Sequence, residues 1–275
     1  MAPGPPVPSV EILAVGTELL SGEVQDTNTR FLALTSTGLG GVVEQARVLP
    51  DDFRVLKAAF REALSREPRL VLVCGGLGPT EDDGTLEALA AALGAPLREH
   101  PEALDMVGAT YAALAERGIV EDGRLTPQRR KMARLPAGSR PVPNPVGAAP
   151  GIELTVVRTT FIALPGVPAE LEAMVEGTLR PVLRGIFGAS VYLDDAVTVH
   201  TGDESRLVPA LAEVAAAHPA VRVKSRARRL GVAVSVRVTL STRGEGEKEV
   251  RARLVACRDA LVAACAARGM ELDLP

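Results

Sequence analysis

The apolar positions of the chain fall into a recurring pattern of short runs and longer stripes. Val10–Val15 is a β-type run that stops at Gly16. Asp26 can then cap a helix carrying Phe31, Leu32 and Leu34, which Gly38 stops. Gly41–Leu49 reads as a second strand. Asp51 or Asp52 opens another helix, with Val55, Leu56, Ala59, Phe60 and Ala63 on one stripe. Leu70–Cys74 is apolar throughout, as suits a strand buried on both faces. Helical spacing follows over about 83–93 and 101–117, and short strands at 152–157 and 160–164. A helix runs from Pro168, a favoured first-turn residue, to about Arg184.

This alternation predicts an α/β fold with a mainly parallel sheet between two helical layers. Ligands in such folds bind at the carboxyl ends of the strands. Gly16, Gly75 and Gly76, and the turn after Leu164, fall there. The pattern changes near 186–190. Val191–His200 reads as a strand, and Thr201-x-x-Glu204 as a capping box opening a helix to about His218. Val221–Ser225 and Val232–Leu240 alternate like strands, and Glu245–Arg268 is a long amphipathic helix. The expected organisation is a Pro/Gly-rich disordered tail at 1–8, an α/β domain at 9–185, and a small βαββα module at 186–275.

Composition narrows the function classes. A chain of 275 residues accommodates two domains, and 47% hydrophobic with 24% charged residues excludes disorder of the whole. The net charge of −3 gives no global basic field, which disfavours nucleic acid and anionic membrane as partners. Aromatic residues amount to 3%, with no Trp, which argues against a base-stacking platform. A planar ligand is expected to rest on backbone, aliphatic and Arg contacts. Three Cys without a CxxC pair and three scattered His exclude a zinc ribbon or dithiol site. With no apolar run of about 18 residues and no apolar signal core, a cytoplasmic protein is expected.

Four glycine-bearing loops at strand ends carry the candidate chemistry. The densest is Cys74-Gly75-Gly76-Leu77-Gly78-Pro79-Thr80-Glu81-Asp82-Asp83-Gly84-Thr85, between a buried strand and a helix. Its glycines let backbone N–H groups approach a phosphate, and the helix start adds unpaired donors. Asp82 or Asp83 could simply cap that helix. Two adjacent acids exceed what a cap needs, and beside a phosphate they call for a bridging divalent cation. No Gly-Lys-Ser/Thr follows, so this is not a Walker loop. The others are Gly16–Gly22 with Asp26-Thr27-Asn28, the Asn144–Gly151 loop, and Leu164–Glu170. A fifth stretch, Arg222–Arg229, holds five cations in eight residues and reads as a solvated strand face or a nucleic-acid contact. Cys257 and Cys265 share a helix stripe and read as core.

At the four loops the sequence resembles the CinA family, whose N-terminal domain is of the molybdopterin-binding type. The matching residues are Gly16–Gly22, Asp26-Thr27-Asn28, Gly75-Gly76-Leu77-Gly78-Pro79-Thr80 with Asp82-Asp83 and Thr85, Asn144-Pro145 with Gly147 and Ala149-Pro150-Gly151, and Leu164–Pro168 with Glu170 and Met174. Ala148, Met132 and Gly84 depart from the family's usual residues. The resemblance implies a three-layer αβα domain binding a pterin- or nucleotide-phosphate-like ligand, then a small KH-type module. It also implies hydrolysis of the pyrophosphate bond of ADP-ribose with Mg²⁺, Mn²⁺ or Co²⁺ and K⁺. The further deamidase domain of longer relatives is not expected in a chain ending at Pro275. A Gly-x-x-Gly loop is missing from the KH-type module, which leaves RNA binding in that mode unsupported.

On this reading Asp82 and Asp83 hold the metal or position water. Glu18 and Asp26 are candidate bases. Gly75, Gly76, Gly78, Thr80 and Thr85 cradle phosphate, with Gly16, Thr17 and Asn28 on the opposite wall. Asn144, Gly147, Gly151 and Gly166 close the pocket. A molybdenum-cofactor-type binder or adenylyl transferase, and a non-enzymatic adaptor in DNA uptake or repair, are the alternatives. A homo-oligomer, such as a dimer through the last helix, is expected.

Overall fold

The structure is a computed structural model that describes residues 7–188, 190–201, 203–227 and 235–274. It divides into two compact units: the chain up to Thr37 with Gly41–Phe187, and Gly38–Gly40 with Gly188–Pro275. Among the described residues no helix is long and apolar enough to cross a membrane.

The first unit runs β1 (Ser9–Val15), α1 (Thr17–Ser21), α2 (Asn28–Gly38), β2 (Val42–Leu49), α3 (Phe53–Arg66), β3 (Leu70–Cys74), α4 (Thr85–Leu93) and β4 (Leu97–Glu99). It continues through α5 (Pro101–Glu116), α6 (Pro127–Lys131), β5 (Arg134–Pro136), β6 (Arg140–Val142), β7 (Gly151–Val156), β8 (Thr159–Leu164), α7 (Pro168–Glu176) and α8 (Arg180–Phe187). The main sheet has the order β2-β1-β3-β8-β7-β6. Its first four strands are parallel; β7 and β6 close it antiparallel. β4 and β5 pair separately.

Strand periodicity makes the three layers. Leu13, Val15, Val71, Val73, Phe161 and Ala163 face one way and pack in a single core with Leu56, Phe60 and Ala63 of α3 and Ala88 and Leu89 of α4. Their neighbours Ile12, Ala14, Leu72, Ile162 and Leu164 are equally buried and face the layer of α2, α7 and α8. Among the described residues one charged side chain is buried in this interior. Glu11 on β1 is 1% exposed and is held by a two-pronged pair with Arg66, at 2.7 and 2.8 Å.

Several local expectations change. Asp52 rather than Asp51 caps α3, accepting from Arg54 and Val55 N–H. Val55 is exposed, because the stripe of α3 is narrower than its apolar content. The helix expected from Pro168 to Arg184 is two helices. Pro181 has no N–H to donate to residue 177, and its ring would strike that carbonyl, so the chain breaks at Gly177.

The second unit comprises β9 (Ser190–His200), a 3-10 turn (Glu204–Leu207), α9 (Val208–Ala217), β10 (Arg222–Ala227), β11 (Ser235–Glu245), α10 (Glu247–Ala266) and β12 (Glu271–Asp273). The sheet order β10-β11-β9-β12, antiparallel throughout, is a split β-α-β plait; β12 extends the expected βαββα order. The capping box does not form. Asp203 caps the 3-10 turn through Ser205 N–H, and Glu204 instead accepts from Ser225 Oγ. Arg222, Lys224 and Arg226 lie on one exposed face of β10, while Arg228, Arg229 and the strand start at 232–234 lie outside the described residues. Cys257 and Cys265 are core, as their spacing predicts, and burial pushes both thiols up.

Candidate active site

β1, β3 and β8 are adjacent and parallel, so their carboxyl ends open on one side of the sheet. The loops that follow are tied together there. Gly16 N–H donates to Leu49 O at 3.0 Å, Gly75 N–H to Leu164 O at 3.0 Å, and Asn28 Nδ2 to Gly166 O at 2.8 Å. Between them lies a cleft of about 540 Å³.

The loop after β3 forms its floor. Gly75 has φ +105°, and a Cβ there would lie 2.1 Å from Val15 O. Gly76 has φ +69°, and its Cβ would lie 2.2 Å from Thr85 Oγ1. Only glycine fits either position. Thr85 is fully buried, donating its hydroxyl to Gly75 O at 2.8 Å and its N–H to Gly76 O at 3.3 Å. It therefore shapes the loop and is not a ligand contact. Among the described residues, the N–H groups of Gly76, Leu77 and Gly78 meet no acceptor. Consecutive unpaired N–H groups at a glycine turn are what an anion nest is built from.

The capping role left open for Asp82 and Asp83 is not what they do. Gly84 is the N-cap of α4, with no side-chain bond. Thr80 N–H donates to Asp83 Oδ2 at 2.9 Å. Thr80 Oγ1 sits 2.5 Å from Asp82 Oδ1 and 2.6 Å from Asp83 Oδ2, and its one proton serves one carboxylate at a time. The hydroxyl of Thr80, its own turn and the Lys131 charge hold the Asp82 carboxyl below the usual carboxylate range. Lys131 at the end of α6 grips this loop. Its ammonium donates to Thr80 O, to Asp83 O at 2.8 Å and, more weakly, to Gly78 O at 3.5 Å. Burial lowers the Lys131 pKa, against the opposing pull of Asp83, Asp82 and Glu87.

On the opposite wall Thr17 is occupied by Asp51. Its N–H and hydroxyl both reach Asp51 Oδ2, at 2.7 and 2.9 Å. Glu18 faces the cleft. Asp26 is not among the residues that line it; its Oδ1 accepts Thr29 N–H at 2.9 Å at the start of α2. Asn144 organises its loop with both ends. Oδ1 accepts from Val146 and Gly147 N–H, and Nδ2 donates to Ala149 O and, at 2.7 Å, to Glu170 Oε2. Glu170, on the first turn of α7, is thereby aimed into the cleft.

The structure thus places Gly16, Glu18, Gly75, Gly76, Gly78, Asp82, Asp83 and Gly166 on the cleft surface. Thr17, Asn28, Thr80, Thr85, Asn144 and Gly147 stand behind it as its frame. Gly151, buried at the start of β7, packs against Met174. Asp51, Tyr111, Met132 and Glu170 also line the cleft, and Lys131 lies under it. Tyr111 corrects the expectation of a site without an aromatic ring. The ring comes from α5, outside every glycine loop, so no local pattern marks it. Glu170 was legible as a matching residue, yet its direction depends on Asn144, 26 positions away.

Charge sets what this site can hold. Glu18, Asp51, Asp82, Asp83 and Glu170 line the cleft, while Lys131 and Arg134 line a smaller pocket that adjoins it at Gly76–Gly78 and Asp83. No three His, Cys, Asp or Glu side chains among them are grouped to hold an ion by themselves. Two carboxylates with a hydroxyl fit a small hard cation that keeps waters and takes phosphate oxygens. They do not make an all-protein cage. Cys74, at the base of the loop, is no nucleophile: burial, reinforced by Asp26, pushes its thiol up to about 12.

Residues 11–185 match the family described as probable molybdopterin binding domain, which is more than half the chain. The chain belongs to this family. Within it the chain is of the CinA type. The crystal structure of "the protein CinA with unknown function" from Thermoplasma acidophilum is 38% identical, with a TM-score of 0.57, covering 64% of this chain and 98% of that one. A protein of Aeropyrum pernix is 40% identical over 246 residues, 89% of each chain. One from Thermococcus kodakarensis is 36% identical over 240 residues, 87% of this chain and 94% of its own length. These two alignments are longer than the molybdopterin-binding-type domain, so the likeness extends into the second unit.

Proposed function

We propose that this CinA-type protein hydrolyses the pyrophosphate bond of ADP-ribose, or of a similar nucleoside-diphosphate sugar, with a divalent metal. One observation carries the proposal: three successive unpaired N–H groups at Gly76–Gly78 stand at a cleft lined by five carboxylates, with Lys131 and Arg134 lining only the small pocket that adjoins it. A diphosphate set among these carboxylates calls for a bound cation to offset the charge. Asp82 and Asp83 would hold Mg²⁺, Mn²⁺ or Co²⁺, which polarises the scissile phosphorus and acidifies a bound water.

The chain's own groups divide the remaining work. The nest fixes one phosphate. Glu170, oriented by Asn144, or Glu18 would accept a proton from the attacking water. The water oxygen bonds to one phosphorus, and the bridging oxygen leaves on the other phosphate. AMP and ribose 5-phosphate are the products, with one water consumed. Incubation of the folded protein with ADP-ribose, each metal in turn and K⁺ is expected to release AMP, and chelation to stop it. A folded sample that gives no AMP above blank refutes the proposal.

A second reading, favoured by the family match over 11–185, is binding of molybdopterin or a related nucleotide without hydrolysis. Thermal shift separates the two. A ligand at about 100 times its Kd adds about 2.7 kcal/mol, so the true ligand stands out from the other.

A further inference from the structure

We propose that Tyr111 is a specificity-determining residue that stacks against the planar heteroaromatic base of the ligand. The inference rests on the cleft being a nucleotide or pterin site, but not on hydrolysis. Tyr111 projects from α5 to the cleft surface. The guanidinium of Arg129 lies 3.9 Å from its ring centroid. Arg129 is itself fixed, with Nη1 donating to Asp122 O at 2.8 Å and Arg124 O at 2.7 Å. Its side chain is only 16% exposed. One face of the ring is thus occupied by an anchored cation, and the partly buried ring also packs against the apolar core of its unit, so only part of it meets the cleft.

Met132, buried and polarizable, and Pro79 line the cleft with Tyr111. The glycine loop with Asp82 and Asp83 lines the same cleft, so one ligand that carries a phosphate and a flat ring can meet both. Tyr111 and Tyr192 are the two tyrosines, and there is no Trp. Tyr192 belongs to the second unit.

This makes a direct test possible. In a Tyr192→Phe protein, the emission comes from Tyr111 alone. AMP is expected to quench it saturably, after inner-filter correction against free tyrosine amide, and ribose 5-phosphate is not. By calorimetry, Tyr111→Phe keeps AMP affinity, while Tyr111→Ala weakens it roughly tenfold or more. Inorganic pyrophosphate with Mg²⁺ should bind both variants alike. The inference is overturned if AMP does not bind, if ribose 5-phosphate quenches as AMP does, or if Tyr111→Ala leaves AMP affinity unchanged. If Tyr111→Ala does not fold, the quench still decides. A protein that shows the quench but releases no AMP from ADP-ribose keeps this inference and loses the hydrolytic reading.

Discussion

Replacing Lys131 by Met removes the single cation that grips the glycine loop from beneath. Three backbone carbonyls, of Gly78, Thr80 and Asp83, then lose a donor. The site is half-buried, so water replaces part of the loss. At about 1 kcal/mol for each carbonyl left short, the fold should lose about 2–3 kcal/mol. A second effect is electrostatic. Thr80 holds the Asp82 carboxyl down most, and Lys131 helps. Without Lys131 the Asp82 pKa rises. A carboxylate with a depressed folded pKa contributes stability above its unfolded value and loses it as pH falls through the folded one. The acid limb of metal-dependent turnover should therefore move to higher pH in Lys131→Met. Lys131→Arg keeps the charge and should restore most of this limb. Urea unfolding gives the stability change, and pH profiles of AMP release at saturating metal give the limb. A Lys131→Met protein with unaltered stability and an unaltered profile refutes the role assigned to this residue.

The other predictions concern single contacts. Asp82→Asn and Asp83→Asn should each lower metal-dependent AMP release at least tenfold on the proposed mechanism. Because Gly84 caps α4 without a side-chain bond, Asp82→Asn should not show the ~1 kcal/mol loss of a missing cap in thermal unfolding. Arg66→Met leaves the Glu11 carboxylate buried on β1 without its partner and should cost about 3–5 kcal/mol by urea titration, with Glu11→Leu in the same chain recovering much of it. Cys74, with its thiol raised from an ordinary 9.0 to about 12, contributes stability that is full below pH 9 and lost as pH rises toward 12. That is up to about 4 kcal/mol at three pKa units, and a Cys74→Ala protein should lack this part of the alkaline loss in unfolding titrations.

The strands β1–β3, β7 and β8, the helices α2–α5 and the side of the sheet that holds the site were legible in the sequence, because each rests on local physics, while α1, α6, β4–β6, β12 and the break between α7 and α8 were not read from it. Leu70–Cys74 is apolar at every position, which only a strand buried on both faces requires. Gly75 and Gly76 mark a turn with positive φ wherever the chain goes next. The carboxyl ends of parallel strands follow from the alternation of elements. What tertiary structure decided is the direction and employment of side chains, since these depend on partners far along the chain. Asp26 and Thr85 carry the right chemistry but are used up by α2 and by the loop itself. In sequence Lys131 is an ordinary surface residue, Asp51 a cap candidate, and Glu170 a family match without a role. They become part of the site because Thr17, the Gly78–Asp83 carbonyls and Asn144 lie against them, 34, about 50 and 26 positions away. Tyr111 is the sharpest case. Composition argued for a pocket without rings, yet one ring packed at the right place by α5 and Arg129 is enough, because a stacking contact needs position and not abundance.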